Sequence, residues 1–151
     1  MTVGNRFAID ANVLVYAIDV DAGAKRRLAE SLLIDAARVD AWLTVQSLAE
    51  FFHAVTRKRI ATIENATRYV QTWQIVFNVT AADVQSIDDA MAAVRDHSLS
   101  FWDAMQWATA RQAGCTCLIT EDMQHGQRIG GVELINPFLP ESQDRMFRLL
   151  S

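Results

Sequence analysis

The sequence has no long apolar run, which excludes a membrane-spanning helix. A span needs about 20 consecutive apolar residues, and no stretch of this 151-residue chain approaches that length. The N-terminal residues MTVGNR lead from a polar start into a short apolar run, which is not typical of a secretory signal. We therefore expect a cytoplasmic protein with no membrane association.

Cysteine and histidine are also scarce. The two cysteines, Cys115 and Cys117, stand one residue apart. This spacing fits neither a zinc half-site nor a thioredoxin-type pair, so both are predicted to be small buried hydrophobes. The three histidines, His53, His97 and His125, are isolated in the sequence. The chain therefore has no pair of histidines of the kind that a metal-free ribonuclease would use for catalysis.

There is no excess of positive charge either. The net charge is −4, which argues against a protein that coats nucleic acid by charge alone. A nuclease stays possible, because acids that hold a metal are neutralised by their cation. The length predicts one domain covering residues 1–151. The 51% hydrophobic and 21% charged content is typical of a globular protein.

Hydrophobic periodicity predicts strands that alternate with helices. Strands are expected at residues 6–10, 41–45, 75–79, 116–120 and 132–135. Capping boxes are expected at Ser47–Glu50 and Thr80–Asp83, with a similar cap at Ser100–Asp103. This order predicts an α/β fold, a three-layer α/β/α sandwich with a mainly parallel central sheet.

Two further expectations concern helix packing. The helix after Asp83 is expected to bury a core stripe made of Val84, Ile87, Met91 and Val94. The last dozen residues are expected to form a short, loosely held helix.

Four acids fall at the ends of predicted elements. Asp10 follows the first strand and Asp122 follows the fourth, while Glu50 and Asp103 are predicted in the first turns of helices. Ligands of a parallel sheet bind outside the carboxyl ends of its strands, so we expect the four acids to converge on one edge. Carboxylates grouped in this way hold Mg²⁺ or Mn²⁺.

Each acid also has a structural explanation as a cap partner or turn residue. A capping or turn role explains Asp10 least well, because a carboxylate directly after Phe-Ala-Ile is near a core and must be paired or metal-bound. Asn12 could orient Asp10, and Thr120 could act as a cap or bond a metal-bound water. Trp102 and Trp107 are most simply core residues, although either could stack on a base.

The ordered motifs resemble those of the PIN domain family, and more closely those of the VapC toxins of bacterial type II toxin–antitoxin modules. The resemblance extends to about residue 138. It rests on four stretches: IDANVLVYA at 9–17, SLAEFF at 47–52, LSFWDA at 99–104 and ITEDM at 119–123.

The resemblance implies a ribonuclease whose acidic quartet around Mg²⁺ or Mn²⁺ is Asp10, Glu50, Asp103 and Asp122. Asp10, Asp103 and Asp122 would bind the metal most directly, and Glu50 would act through water or at a second metal. The supporting polar groups it implies are Asn12 and Thr120, with Glu121 as a plausible extra acid. It also implies an RNA substrate, a homodimer and a cognate VapB-like antitoxin.

Two other functions stay open at this point. A haloacid dehalogenase-type phosphohydrolase also has a strand that ends in Asp, but it needs a second acid where this chain has Asn12. It also needs a dedicated lysine, and only Lys25 and Lys58 are present. The non-enzymatic alternative is a PIN-like interaction module or a receiver-type domain, in which the acids are structural.

Overall fold

The computed structural model describes residues 5–151, which form a six-stranded sheet between layers of helices. The strands are β1 Phe7–Ile9, β2 Ala41–Thr44, β3 Asn78–Thr80, β4 Cys117–Ile119, β5 Arg128–Ile129 and β6 Val132–Ile135. The helices are α1 Ala11–Ile18, α2 Ala24–Ala36, α3 Val45–Arg57, α4 Ile63–Val76, α5 Val84–His97, α6 Phe101–Gln112 and α7 Gln143–Leu149.

The strand order is β3-β2-β1-β4-β6-β5, with every pairing parallel except that of β5 with β6. The chain first builds outward from β1 through β2 to β3, and then crosses to the other side of β1 to add β4. The boundary between the neighbouring strands β1 and β4 is therefore the topological switch point, and open α/β sheets bind ligands at the carboxyl ends of the strands there.

Alternate residues of the central strands face opposite layers. Phe7 and Ile9 pack with α1, α2, α3, α4 and α7, whereas Ala8 packs with α5 and α6. This period of two is what a strand buried on both faces requires. The predicted three-layer α/β/α sandwich with a mainly parallel sheet is thereby confirmed.

The predicted start of α3 was one turn too late. Thr44, the last residue of β2, is the N-cap and accepts a hydrogen bond from the Ser47 N–H. Serine and threonine are both favoured caps, with serine somewhat the better, so cap preference alone did not identify Thr44. Ser47 is therefore a buried helical residue, and Glu50 lies in the second turn of α3 instead of the first.

The predicted strand at residues 75–79 was also misplaced. Helix α4 continues through Val76 because its buried Trp73 keeps it packed on the core, and the strand is confined to Asn78–Thr80. Asp83, and not Thr80, caps the next helix through a reciprocal capping box with Ser86. The cap at Ser100 is confirmed, since its side chain accepts from the Asp103 N–H.

The predicted core stripe of α5 was wrong. Val84, Ile87, Met91 and Val94 are all exposed, and the buried face of α5 consists of Ser86, Ala90 and Ala93. Ala90 and Ala93 pack in the core cluster that includes α6, and the Ser86 hydroxyl donates to Gln112 at the end of α6 at 2.7 Å.

The C-terminal helix α7 is held more firmly than expected, because its Met146 and Leu149 are buried in the core. Both cysteines are free and buried, as predicted. Burial raises the pKa of the Cys115 thiol to about 12 and raises that of Cys117 as well.

No helix in residues 5–151 combines the length and apolar character that crossing a membrane demands. Residues 1–4, on which the sequence argument against a secretory signal depends, lie outside the described part of the chain. The single domain over residues 1–151 stays a prediction.

Candidate acidic site

The site lies at the carboxyl edge of β1 and β4. Asp10 directly follows β1 and is only 5% exposed, because the next turn of chain folds into α1 over the sheet. Its Oδ1 accepts from the Ala11 N–H at 2.7 Å, and its Oδ2 accepts from the Thr120 hydroxyl at 2.7 Å. Thr120 follows β4 and is completely buried.

Asn12 and Thr120 connect Asp10 to Asp122. The Asn12 amide donates to Asp122 Oδ2 at 3.1 Å and lies 3.5 Å from Asp10 Oδ2. The Thr120 hydroxyl oxygen also accepts from the Asp122 N–H at 3.2 Å. Two neutral side chains therefore hold two carboxylates at the switch point between β1 and β4.

Glu50 and Asp103 approach this pair from α3 and α6. Gln46, one turn before Glu50, donates to Glu50 Oε1 at 2.7 Å and to the Trp102 carbonyl at 3.0 Å. One side chain thus links Glu50 to the peptide that precedes Asp103. Sequence reasoning missed Gln46, although its spacing of four residues from Glu50 was a usable signal.

The charges of the four acids affect one another. Burial, reinforced by the negative charges of Glu50 and Asp122, raises the pKa of Asp10 from 3.8 to about 6, although hydrogen bonds from Thr120 and Ala11 oppose the rise. Burial likewise raises the pKa of Asp103, and the charge of Asp122 adds to it. The structure therefore brings all four predicted acids within electrostatic range of their neighbours.

The donor set suits a hard divalent cation. The hydrogen-bond partners of Asp10 are all neutral, so its ionised form is desolvated without a compensating positive charge. Raising its pKa to about 6 corresponds to roughly 3 kcal/mol against ionisation, and a bound cation would offset that cost. Oxygen ligands of this kind are those that Mg²⁺ and Mn²⁺ prefer.

No three Asp, Glu, His or Cys side chains within residues 5–151 form a ready metal cage. The acids are close enough to influence one another but are not arranged as a complete set of direct ligands. This arrangement is compatible with Mg²⁺, which keeps several waters and uses only one or two protein carboxylates.

The side chain of Glu121 binds residues outside the group of predicted site residues. Its carboxylate accepts hydrogen bonds from Tyr16 and Lys25, and the Lys25 ammonium lies 4.9 Å from the centre of the Tyr16 ring. The backbone N–H of Glu121 donates to Asn12 Oδ1 at 3.3 Å. Glu121 contributes its backbone to the site, while its side chain joins α1 and α2 to the loop after β4.

Trp102, which precedes Asp103, and Trp107, which follows it on α6, differ in their exposure to solvent. Trp107 is buried, and its indole N–H donates to the Ile129 carbonyl at 3.0 Å, so it is the core residue that was predicted. Trp102 is 63% exposed, so its prediction as core was wrong. It packs edge-to-face against Phe101 at 5.1 Å between ring centroids.

Comparison with known proteins identifies the fold and the family model that the chain matches. The PIN domain model matches residues 7–128, which is most of the chain. No curated protein matches the sequence.

Several solved structures are similar. The toxin VapC20 of Mycobacterium tuberculosis, described as cleaving the sarcin-ricin loop, is 17% identical with a TM-score of 0.61, over 74% of this chain and 86% of that one. A toxin–antitoxin complex from Klebsiella pneumoniae is 23% identical with a TM-score of 0.62, over 87% and 97%. PAE2754 from Pyrobaculum aerophilum is 18% identical with a TM-score of 0.63, over 99% and 98%. At these identities the likeness shows the fold.

The position of Glu121 gives a testable prediction. Glu121→Gln is expected to leave the affinity for Mn²⁺ within about twofold of wild type, because the carboxylate already binds Lys25 and Tyr16. Isothermal titration calorimetry with Mn²⁺ measures this. Asp122→Asn, one residue along, is the matched control and is expected to weaken binding by about tenfold or more. Equal loss in both variants would contradict the separation of the two side chains.

Proposed function

The chain belongs to the PIN domain family, and from this premise we propose that it is a divalent-metal-dependent endoribonuclease, the toxin of a type II toxin–antitoxin pair. The observation that carries the proposal is the buried carboxylate of Asp10, whose pKa is raised by burial and by the charges of Glu50 and Asp122. Membership of the family sets aside the haloacid dehalogenase-type alternative.

In this proposal Asp10, Asp103 and Asp122 hold Mg²⁺ or Mn²⁺ most directly, and Glu50 acts through water or at a second ion. When bound, the ion would lower the pKa of a water and offset the negative charge of the phosphate. The chain's own residues orient the acids: Thr120 and Asn12 fix Asp10 and Asp122, and Gln46 fixes Glu50.

The surroundings of Asp10 lead us to expect that an asparagine there would keep the local fold but not the function. An asparagine could still accept from the Ala11 N–H or from Thr120, so the local fold is retained. It would carry no charge, however, and a neutral amide cannot offset the charge of a cation as a carboxylate does.

Asp10→Asn is therefore expected to lower Mn²⁺-dependent RNA cleavage by about a hundredfold or more. Its metal-free unfolding temperature should equal or exceed that of wild type, because the cost of burying a charge disappears. A gel assay of RNA cleavage and thermal denaturation measure the two effects.

The control is Asp96→Asn, at an exposed acid paired with Arg95 near the C-terminal end of α5, which should cleave at the wild-type rate. Full activity in Asp10→Asn would contradict the enzyme assignment. A wild-type protein that neither binds Mn²⁺ nor cleaves RNA would instead favour the non-enzymatic interaction module.

We assign the substrate as RNA on the family resemblance, with Trp102 as a contact at the rim of the site. An exposed indole next to Asp103 can stack on an unpaired base, which contributes about 1–3 kcal/mol per base. The M. tuberculosis neighbour, a toxin that cleaves the sarcin-ricin loop, supports the same class of substrate.

Trp102→Ala is expected to raise the KM for a single-stranded RNA substrate by roughly 5- to 150-fold while the Mn²⁺ affinity stays unchanged. Steady-state cleavage and Mn²⁺ titration measure the two quantities. Trp102→Phe keeps an aromatic face and should retain most of the affinity. If the alanine variant shows the wild-type KM, base stacking at this residue is excluded.

We also propose a cognate VapB-like antitoxin and a homodimer. The negatively charged acidic site would attract an Arg or Lys of an antitoxin segment. An assay of whether the purified antitoxin blocks cleavage tests this point. The homodimer is supported by the exposed apolar residues of α5, because contiguous apolar surface of this kind marks interaction sites. The neighbour from K. pneumoniae is itself a toxin–antitoxin complex.

The double variant Ile87→Glu/Met91→Glu is expected to be monomeric where wild type is dimeric, because two buried like charges would face each other across the interface. Light scattering coupled to gel filtration gives the mass of each. Gln85→Glu, an exposed change of charge on the same helix, should remain dimeric. A dimer of unchanged stability in the double variant would exclude this face of α5.

A further inference from the structure

A buried polar network lies beneath the acidic site and joins three elements. The Thr44 hydroxyl donates to Gln106 Oε1 at 2.7 Å, and Gln106 Nε2 donates in turn to Ser47 Oγ. The Ser47 hydroxyl donates to the Ile9 carbonyl at 3.3 Å. Thr44, Ser47 and Gln106 are at most 1% exposed.

The network ends beside three of the four acids. Gln106 lies one helical turn after Asp103 on α6, and Ser47 lies one turn before Glu50 on α3. Ile9, whose carbonyl accepts the last hydrogen bond, immediately precedes Asp10. The hydrogen bonds therefore connect the backbone segments that carry Asp10, Glu50 and Asp103.

Stability alone does not explain a glutamine at this position. An amide buried among helices costs free energy unless it is fully hydrogen-bonded, and a wholly apolar set of side chains in place of the amide and its partners can be nearly as stable. Here both ends of the Gln106 amide have partners, and no buried side-chain nitrogen or oxygen in residues 5–151 lacks one. A fully satisfied network of this kind holds its members in one arrangement.

We propose that Gln106 is a positioning residue, which fixes the relative positions of Asp10, Glu50 and Asp103, so that Asp10 and Asp103 can hold a divalent cation while Glu50 acts through water or at a second ion. This inference rests on the proposed function. It extends that function to a residue which does not face the substrate. The acids of the described residues form no ready cage. The affinity for the ion therefore depends on how little the backbone segments that carry Asp10, Glu50 and Asp103 must move when it binds.

The same helix supplies a matched control. Thr109 is also buried on α6, but its hydroxyl donates only to the Met105 carbonyl within the helix at 2.7 Å. Thr109→Val removes one buried hydroxyl without affecting any connection between elements. It therefore reports the effect of altering the buried polar surface of α6 by itself.

The test compares wild type, Gln106→Met, Ser47→Ala and Thr109→Val by calorimetric titration with Mn²⁺ alone and by RNA cleavage kinetics. Gln106→Met removes both hydrogen bonds of the amide at nearly constant volume. It is expected to weaken Mn²⁺ binding by about tenfold and to lower kcat with KM unchanged. Ser47→Ala breaks the same network at another point and should have the same effect, even if the methionine variant folds poorly.

Thr109→Val should bind Mn²⁺ and cleave RNA as wild type does. If Gln106→Met and Ser47→Ala fold and bind Mn²⁺ within twofold of Thr109→Val, the positioning role is overturned while the metal site stands. If wild type itself binds no Mn²⁺, both the metal site and the positioning role are overturned.

Discussion

The site depends on a single constraint: the carboxylate of Asp10 is buried at the end of the central strand with only neutral hydrogen-bond partners. The ionised form is costly in that position, and two further acids nearby increase the cost. A protein that needed residue 10 only as a helix cap could place a neutral asparagine or serine there without the cost of burying a charge. The unfavourable placement is what a cation-binding role would explain.

The surrounding fold places support on both sides of this carboxylate. On the solvent side, Gln46 joins α3 to α6 through Glu50 and the Trp102 carbonyl. On the core side, Gln106 joins the same two helices. Each helix begins from a short strand or loop at the sheet edge, so rigid-body movement of either one would displace an acid. Two amide side chains at different depths oppose such movement better than one.

The fold class was accessible to sequence reasoning, because strand ends and helix starts follow from periodicity and capping residues. The same reasoning selected four acids whose charges affect one another. The errors arose where tertiary packing decides. Helix α5 packs its alanines into the core and leaves Ile87 and Met91 exposed, a choice of face that the periodicity of its sequence does not determine. Thr44, and not Ser47, is the N-cap of α3. The Glu121 carboxylate accepts a hydrogen bond from Lys25. Gln106 was missed because a polar residue within an apolar helix face has no local signature.

The two buried thiols have a practical consequence. Only the thiolate reacts at an appreciable rate with alkylating reagents, and burial raises the pKa of both Cys115 and Cys117. We therefore expect the folded protein to give little background in maleimide or nitroxide labelling, since both thiols are also buried. A single cysteine introduced on the exposed face of α5, or in place of Trp102, would be the dominant labelled position, so the contacts proposed for these two surfaces can be probed without first removing the native cysteines.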